Sequence, residues 1–311
     1  MYKAESEGNM LFSEYYANWI ALYKEGAVRE VTLKKYKAAL AHIQRLTAGM
    51  DISDMNRTAY QKLLNEYAKT HEKQTVTDFH HMVKPCLLDA RDEGLLQADP
   101  TRRVTIKGKP AKDKKIKYLN QYDLHKLLDT LTLDNNHKYD WLLYLGAKTG
   151  VRLSEALGVT PADFDMSTQS LSINKTYDYK NGGGFVATKN KSSIRKIQLD
   201  WQTMNKFYGF IKDKDPSLPI FVNPGEQIYD STINDILARH CKAAHIAPIT
   251  YHGLRHTHAS VLLFSGVSVP SVSRRLGHSS IATTQKVYLH IIKEMDNFDN
   301  DIIMKTLVSL E

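Results

Sequence analysis

Apolar positions recur at helical spacing through the first hundred residues. "FSEYYANWIALYKEG" carries Phe12, Tyr16, Trp19, Ile20 and Tyr23 near that period, and Gly26 is a plausible stop. "TLKKYKAALAHIQRL" repeats the pattern with Leu33, Tyr36, Leu40, Ile43 and Leu46. "NRTAYQKLLNEYAKT" predicts a third helix, with Asn56 as its cap. "TVTDFHHMVKPCLLDARDEG" predicts a fourth, with Gly94 just past its end. Pro85 lies inside it, so a kink or break is expected there. "QADP" closes this all-helical unit. Further on, "NQYDLHKLLDTL" and "YDWLLYLGAKTG" read as helices, the second closed by Gly150. "LSINKTYDY" then alternates as a strand does, "NGGG" is a turn and "FVATK" is a second strand. "IRKIQL" is a third, after a tight connection over 190–193. From "STINDILARHCKAA" the chain reads as helical to its end. The expected fold class is therefore mainly α with a small antiparallel β-sheet.

Composition changes this picture little. The chain has 311 residues, enough for two domains, with ordinary globular content of 42% hydrophobic and 24% charged residues. No apolar run approaches the roughly 20 residues that cross a bilayer, and "MYKAESEGNM" has no apolar core of a signal peptide. Cys86 and Cys241 are the two cysteines, too few for a disulfide scaffold or a Cys-rich zinc site. The expected location is a reducing cytoplasm, with no membrane partner.

Charge says more. The net charge of +8 favours a polyanionic partner. Eight bases fall between 102 and 117: Arg102, Arg103, Lys107, Lys109, Lys112, Lys114, Lys115 and Lys117. Asp113 alone opposes them, so this segment carries +7 and the rest of the chain is nearly neutral. It reads either as a solvated linker or as a strand that follows a phosphate backbone. The expected organisation is a polar lead over 1–10, a helical domain over 11–100, a basic linker over 101–117, and a larger domain over 118–311 that includes a C-terminal tail.

The densest chemistry is in "YHGLRHTHAS", which places His252, Arg255, His256 and His258 within seven positions. Thr250 can cap a helix running to about Phe264, with Gly266 ending it. His252 and Arg255 then share a face near a helix start, where free N–H groups and the dipole favour an anion. Three imidazoles also admit a metal, although no glutamate stands between His252 and His256 as in a zincin motif. A third reading is buried structural polarity. "TGVRLSEALGV" sets Arg152 after the Gly150 stop, with Glu155 three residues on and able to orient it. "RRLGHSS" has Gly277 ending a helix and His278 at the entrance of the next, which carries Tyr288. Taken alone, Arg152 reads as a surface ion pair and Tyr288 as core.

In this order and local context, Arg152 in "TGVRLSEAL", Lys189 in "ATKNKSSIRKIQL", "HGLRHTHAS" and "LGHSSIATTQKVY" resemble the tyrosine recombinases of the phage integrase family. The likeness is to integrases of phages and of conjugative elements of Gram-positive bacteria, and it covers the chain from about Leu11 onward. It implies a helical core-binding (SAM-like) domain followed by a catalytic domain of the DNA breaking-rejoining fold. It implies a site-specific recombinase that cleaves and rejoins duplex DNA through a 3′-phosphotyrosyl intermediate, without metal or other cofactor. By the resemblance Tyr288 is the nucleophile, and Arg152 and Arg255 hold the non-bridging oxygens. Lys189, at the tip of the predicted second hairpin, protonates the leaving oxygen, with Lys191, Arg195 and Lys196 as competitors. His252 assists proton transfer at the tyrosine, His278 donates to a non-bridging oxygen, and Glu155 orients an active-site group. His256, His258 and His290 are expected to be structural, or at most supporting.

The implied partners are core-type sites in double-stranded DNA, a DNA-bound tetramer of the chain itself, a directionality factor and a host DNA-bending protein. The implied setting is the nucleoid of a bacterial host. The tail, with Ile302, Ile303, Leu307 and Leu310, corresponds to a region that in the family often docks on a neighbouring subunit, the alternative being that it packs on its own domain. Such integrases usually carry a further arm-binding domain before the core-binding one; this chain starts just before the core-binding domain, so it is either a truncated form or from a lineage that lacks that domain, and arm-site binding is not assumed. The rival readings are a type IB topoisomerase and a non-catalytic DNA-binding protein.

Overall fold

Four of the helices start at a short polar side chain that takes a free N–H group of the first turn: Asn56, Asn120, Asp200 and Thr250. Asn56 accepts from the N–H groups of Thr58 and Ala59, each at 3.0 Å, and Asp200 accepts from Thr203 N–H at 2.9 Å. The computed structural model describes residues 10–110, 118–188 and 190–288. Lys112, Lys114, Lys115, Lys117, Lys189, His290 and the C-terminal tail lie outside the described residues. Two units, Met1–Lys114 and Lys115–Glu311, each have a core of their own. Among the described residues no helix is long and apolar enough to cross a membrane.

The first unit consists of α1 (Phe12–Tyr23), α2 (Glu30–Leu46), α3 (Arg57–Ala68) and α4 (Lys73–Asp92). Tyr16, Ile43, Tyr60, Leu64 and Leu87 are fully buried between them. Each such side chain contributes about 1.5–3 kcal/mol by leaving water. Polar ties fix α1 on α4: Trp19 Nε1 donates to Asp89 at 2.6 Å and Tyr15 Oη to Glu93 at 2.7 Å. The expected break at Pro85 does not occur, and α4 runs through it. Tyr16 Oη donates to the Met82 carbonyl at 3.2 Å, a further tie between α1 and α4.

The segment expected to begin the linker is docked on this unit. Gln61 exchanges two hydrogen bonds with the backbone of Thr105, at 2.8 and 2.9 Å, and Lys109 N–H donates to the His71 carbonyl at 2.8 Å. Val104 and Ile106 pack against the helical core, while Arg102, Arg103, Lys107 and Lys109 point to solvent. None of these four forms an ion pair within the described residues.

The second unit contains α5 (Gln121–Asp129), α6 (Lys138–Thr149), α7 (Leu153–Leu157), α8 (Trp201–Ile211), α9 (Asp230–Ala243), α10 (Tyr251–Phe264) and α11 (Val269–Leu276). A further helical stretch covers 281–288. α6 is its buried axis, with Leu142, Leu143, Leu145 and Ala147 enclosed. Gly146 lets α10 approach, since a Cβ there would lie 2.8 Å from the Tyr251 ring. Helix α8 has no counterpart among the elements expected above, although Asp200 followed by Met204, Phe207 and Phe210 at helical spacing signals it.

The β region departs from expectation. It forms two small sheets: β1 (Phe164–Asp165), β2 (Ser170–Ile173) and β5 (Arg195–Gln198) in the order β1-β2-β5, and a ribbon of β3 (Lys175–Tyr177) with β4 (Phe185–Ala187). All pairings are antiparallel. "LSINKTYDY" is thus two strands. Asn174 and Lys175 are both drawn to the buried Asp163, at 3.1 and 2.5 Å, which turns the chain out of the first sheet. β4 pairs with β3 and β5 with β2, so there is no second hairpin with Lys189 at its tip. The connection that holds Lys189 crosses from one sheet to the other.

Gly108→Ala would place a Cβ 2.3 Å from the backbone nitrogen of Lys73. Backbone cannot yield as a flexible side chain does. The expected result is a destabilisation of about 1–3 kcal/mol, read as a lower melting midpoint of the full chain. An unchanged midpoint would show that the docked segment adds nothing to the first unit.

Candidate active site

Four elements of the second unit bring the sequence-predicted residues together. Arg152 is the N-cap of α7 and Glu155 lies in its first turn. Glu155 is 2% exposed. Its Oε2 accepts the Arg152 backbone N–H at 2.9 Å and its Oε1 accepts Arg152 Nη1 at 2.6 Å. The carboxylate is also gripped from the other side by Arg195 of β5, at 3.0 and 3.3 Å. Burial works against its charge, but the guanidinium of Arg195, and then that of Arg152, outweigh burial and hold the carboxyl below its usual range.

α10 supplies the next group. Thr250 caps it, accepting from Gly253 N–H at 3.3 Å. Arg255, 3% exposed, reaches between two helix ends, donating to the carbonyls of Gly150 and Leu276, each at 2.8 Å. Both chains turn there through left-handed glycines, Gly150 at φ 67° and Gly277 at φ 70°. The negative ends of two helix dipoles suit the cation. Burial and, next, the charge of Arg152 lower its pKa to about 9, so it still carries charge at neutral pH.

His278 follows Gly277 and bonds through Nδ1 to Thr284 Oγ1 at 2.7 Å. Burial first, then Arg255 and Arg152, push its imidazole down to about 4. Tyr288, 2% exposed, packs with Ala259, Leu263, Val272 and Leu276. Burial raises its phenol to about 12, against the pull of Arg255.

The contact at the tyrosine hydroxyl corrects the expectation. His256 Nδ1 lies 3.0 Å from Tyr288 Oη. His252, expected at the tyrosine, instead stands edge-on to the His256 ring with centroids 4.8 Å apart. His252 is solvent-exposed, and its imidazole is lowered by burial of part of the ring and by Arg255 and Arg152. His258 is buried and bonded on both ring nitrogens: Nδ1 to the Ala147 carbonyl at 3.0 Å, and Nε2 accepting from Arg275 Nε at 2.9 Å.

Of the competitors for the acid role, Arg195 is buried and fully engaged, and Lys196 is exposed. Lys189 and the side chain of Lys191 lie outside the described residues. Arg195 and His256 are the residues that the sequence reading undervalued. Strand phase signals the first, because Arg195 lies two residues before the buried Ile197 and shares its face of β5. For the second, only the four-residue spacing from His252 is visible. Among the described residues no three His, Cys, Asp or Glu side chains converge as a metal site.

A model of the phage integrase family matches residues 117–295, more than half of the chain. The chain belongs to that family. It is a tyrosine recombinase, an enzyme of site-specific DNA strand transfer. The integrase of Staphylococcus phage L54a is 26% identical over 94% of this chain and 93% of its own. Tyrosine recombinase XerC of Bacillus subtilis is 26% identical over 92% of each. Among solved structures, the Tn1549 transposon integrase in complex with a circular intermediate DNA covers 93% of this chain and 99% of that one, with a TM-score of 0.75 at 18% identity. A lambda integrase dimer bound to a core site gives 0.67 at 15%, over 89% and 95%. These likenesses show a shared fold, mainly helical with small antiparallel sheets.

His258 and His278 are neutral in the folded site and take up protons on unfolding. Their folded pKa values, about 3 and about 4, lie below the ordinary 6.5. The stability they add is present above pH 6.5 and is lost as pH falls toward those values. The melting midpoint should therefore drop between pH 7 and pH 4. His258→Gln should flatten the slope by up to about 1.4 kcal/mol per pH unit. An unaltered slope would show that His258 is charged in the fold.

Proposed function

We propose that this recombinase uses Tyr288 to attack a DNA phosphodiester, with Arg152 and Arg255 holding its two non-bridging oxygens. The observation that carries this reading is the convergence of two guanidinium groups, a neutral imidazole and a buried tyrosine hydroxyl around one cluster of helix ends. Guanidinium suits phosphate because its planar donor fork matches the oxygens and keeps its proton. Charge on the phosphoryl oxygens grows as the attacking oxygen approaches, so fixed cations bind the transition state more tightly than the ground state.

In this mechanism the Tyr288 oxygen bonds to phosphorus and the bond to the 5′-oxygen breaks. A phenol near pKa 12 needs a base, and His256 is the imidazole within hydrogen-bond distance. His256 takes the proton and His252, beside it and open to water, passes it on. His278 donates to a non-bridging oxygen. Lys189 protonates the leaving 5′-oxygen. The phosphotyrosyl link retains the bond energy, so rejoining runs by the reverse steps without ATP or a metal.

The substrate is double-stranded DNA, as in the Tn1549 and lambda integrase complexes. The helical first unit acts as the core-binding domain, and the exposed bases Arg102, Arg103, Lys107 and Lys109 of its docked segment contact phosphates. Integration or excision of a mobile element by a DNA-bound tetramer, with a directionality factor and a host DNA-bending protein in the nucleoid, completes the reading. Neither the family nor these relatives support a type IB topoisomerase.

Tyr288→Phe should abolish the covalent protein–DNA adduct on a nicked core-site duplex while leaving DNA affinity unchanged. An adduct formed by this variant would remove Tyr288 as the nucleophile. His256→Phe should slow adduct formation on the order of 10²–10⁴-fold, the usual effect of losing a general base. A larger loss in His252→Phe than in His256→Phe would assign the base to His252.

A further inference from the structure

Arg195 belongs to none of the roles above, yet it is the most heavily bonded cation near them. Its side chain is 7% exposed. Nε donates to the Arg275 carbonyl at 2.7 Å, in the last turn of α11. Nη1 donates to the Ser193 carbonyl at 2.9 Å and to Glu155 Oε1 at 3.3 Å, and Nη2 donates to Glu155 Oε2 at 3.0 Å. Gly277 has no Cβ because one would lie 2.9 Å from Arg195 Nη1 and 3.1 Å from the Ser192 carbonyl.

A buried guanidinium with every bond directed at another part of one site is costly to place and adds little net stability. Its geometry is informative. Glu155 is the carboxylate that holds Arg152, both by side chain and by backbone. With Arg195 removed, Glu155 would lose the cation that contributes most to keeping it ionised. Arg152 is part exposed, and its guanidinium is held by Glu155 at 2.6 Å and by a longer bond to the Gly277 carbonyl at 3.4 Å, so the carboxylate is its stronger anchor.

We infer that Arg195 is a positioning residue for the strand-transfer reaction: through Glu155 it aims Arg152 at one non-bridging oxygen of the scissile phosphate. This rests on the function proposed above. The fork is what matters, because only a guanidinium spans both Glu155 oxygens while also bonding the Ser193 and Arg275 carbonyls. Lysine keeps the charge and loses the fork.

The test uses the full chain and nicked duplexes carrying the end sequence of the element that encodes it. Three scissile linkages are compared: an ordinary phosphodiester, a methylphosphonate with one non-bridging oxygen replaced by an uncharged methyl, and a 5′-bridging phosphorothiolate whose sulfur leaves without an acid. The rate of covalent adduct formation and the DNA affinity are read for wild type, Arg195→Lys, Arg152→Ala and Glu155→Gln. Arg195→Lys should cleave the phosphodiester roughly 10²-fold more slowly at unchanged affinity. On the methylphosphonate its rate should return to within a few-fold of wild type, as should that of Arg152→Ala, because the charge Arg152 serves is gone. Glu155→Gln keeps the shape of the anchor and should follow the same pattern if Arg195→Lys does not fold. An equal loss on phosphodiester and methylphosphonate would overturn the inference in favour of a scaffolding role. Rescue by the phosphorothiolate alone would overturn it in favour of action through the connection that holds Lys189. A wild-type chain that forms no adduct, or a Tyr288→Phe variant that does, would instead refute the proposed function.

Discussion

One carboxylate organises the catalytic half of this molecule. Glu155 is buried and accepts from two arginines and a backbone N–H, each approaching from a different direction. A lone buried carboxylate would take up a proton, and lone buried guanidiniums would be expelled to water. Together they form a charged unit that the interior tolerates because nearly every lone pair and proton has a partner. The unit joins α7 to β5 and, through the Arg275 carbonyl, to α11. Three elements far apart in sequence thus have their relative placement fixed by electrostatics, while the apolar core fixes only their general layering.

The remaining site is built on helix ends. α6 and α11 stop at glycines in the left-handed conformation, and the carbonyls left without helical partners face Arg255. A helix terminus needs donors for its last carbonyls, and a buried guanidinium needs acceptors for its protons. Each solves the other's deficit. Arg275 repeats the arrangement one layer out, bonding His258, the Gln198 carbonyl and the Lys148 carbonyl.

Much of this was legible in the sequence, and the exceptions have physical causes. The helices of the first unit follow from apolar period and caps, and Gly150, Gly266 and Gly277 mark helix ends without any tertiary information. Arg152, Arg255, His278 and Tyr288 were readable as a set only through their order along the chain. The β region was misread because alternation reports a strand's faces and not its partner. Asn174 and Lys175 leave the first sheet for a tertiary reason, the pull of buried Asp163. Pro85 suggests a broken helix, yet burial of Val83, Cys86 and Leu87 on either side of it outweighs the local penalty. Which of two histidines four residues apart meets the tyrosine depends on rotation of α10 by its buried face, and no local signal encodes that.

Burial of Tyr288 bears on how a DNA-cutting protein stays harmless between encounters. Burial holds its phenol up at about 12, so its phenolate is scarcer at neutral pH than that of a free tyrosine. The apolar side chains around it exclude the water that would otherwise favour ionisation. In the mechanism proposed above, DNA that is to be cut must change the surroundings of Tyr288, so choice of target and reactivity of the nucleophile draw on the same contacts.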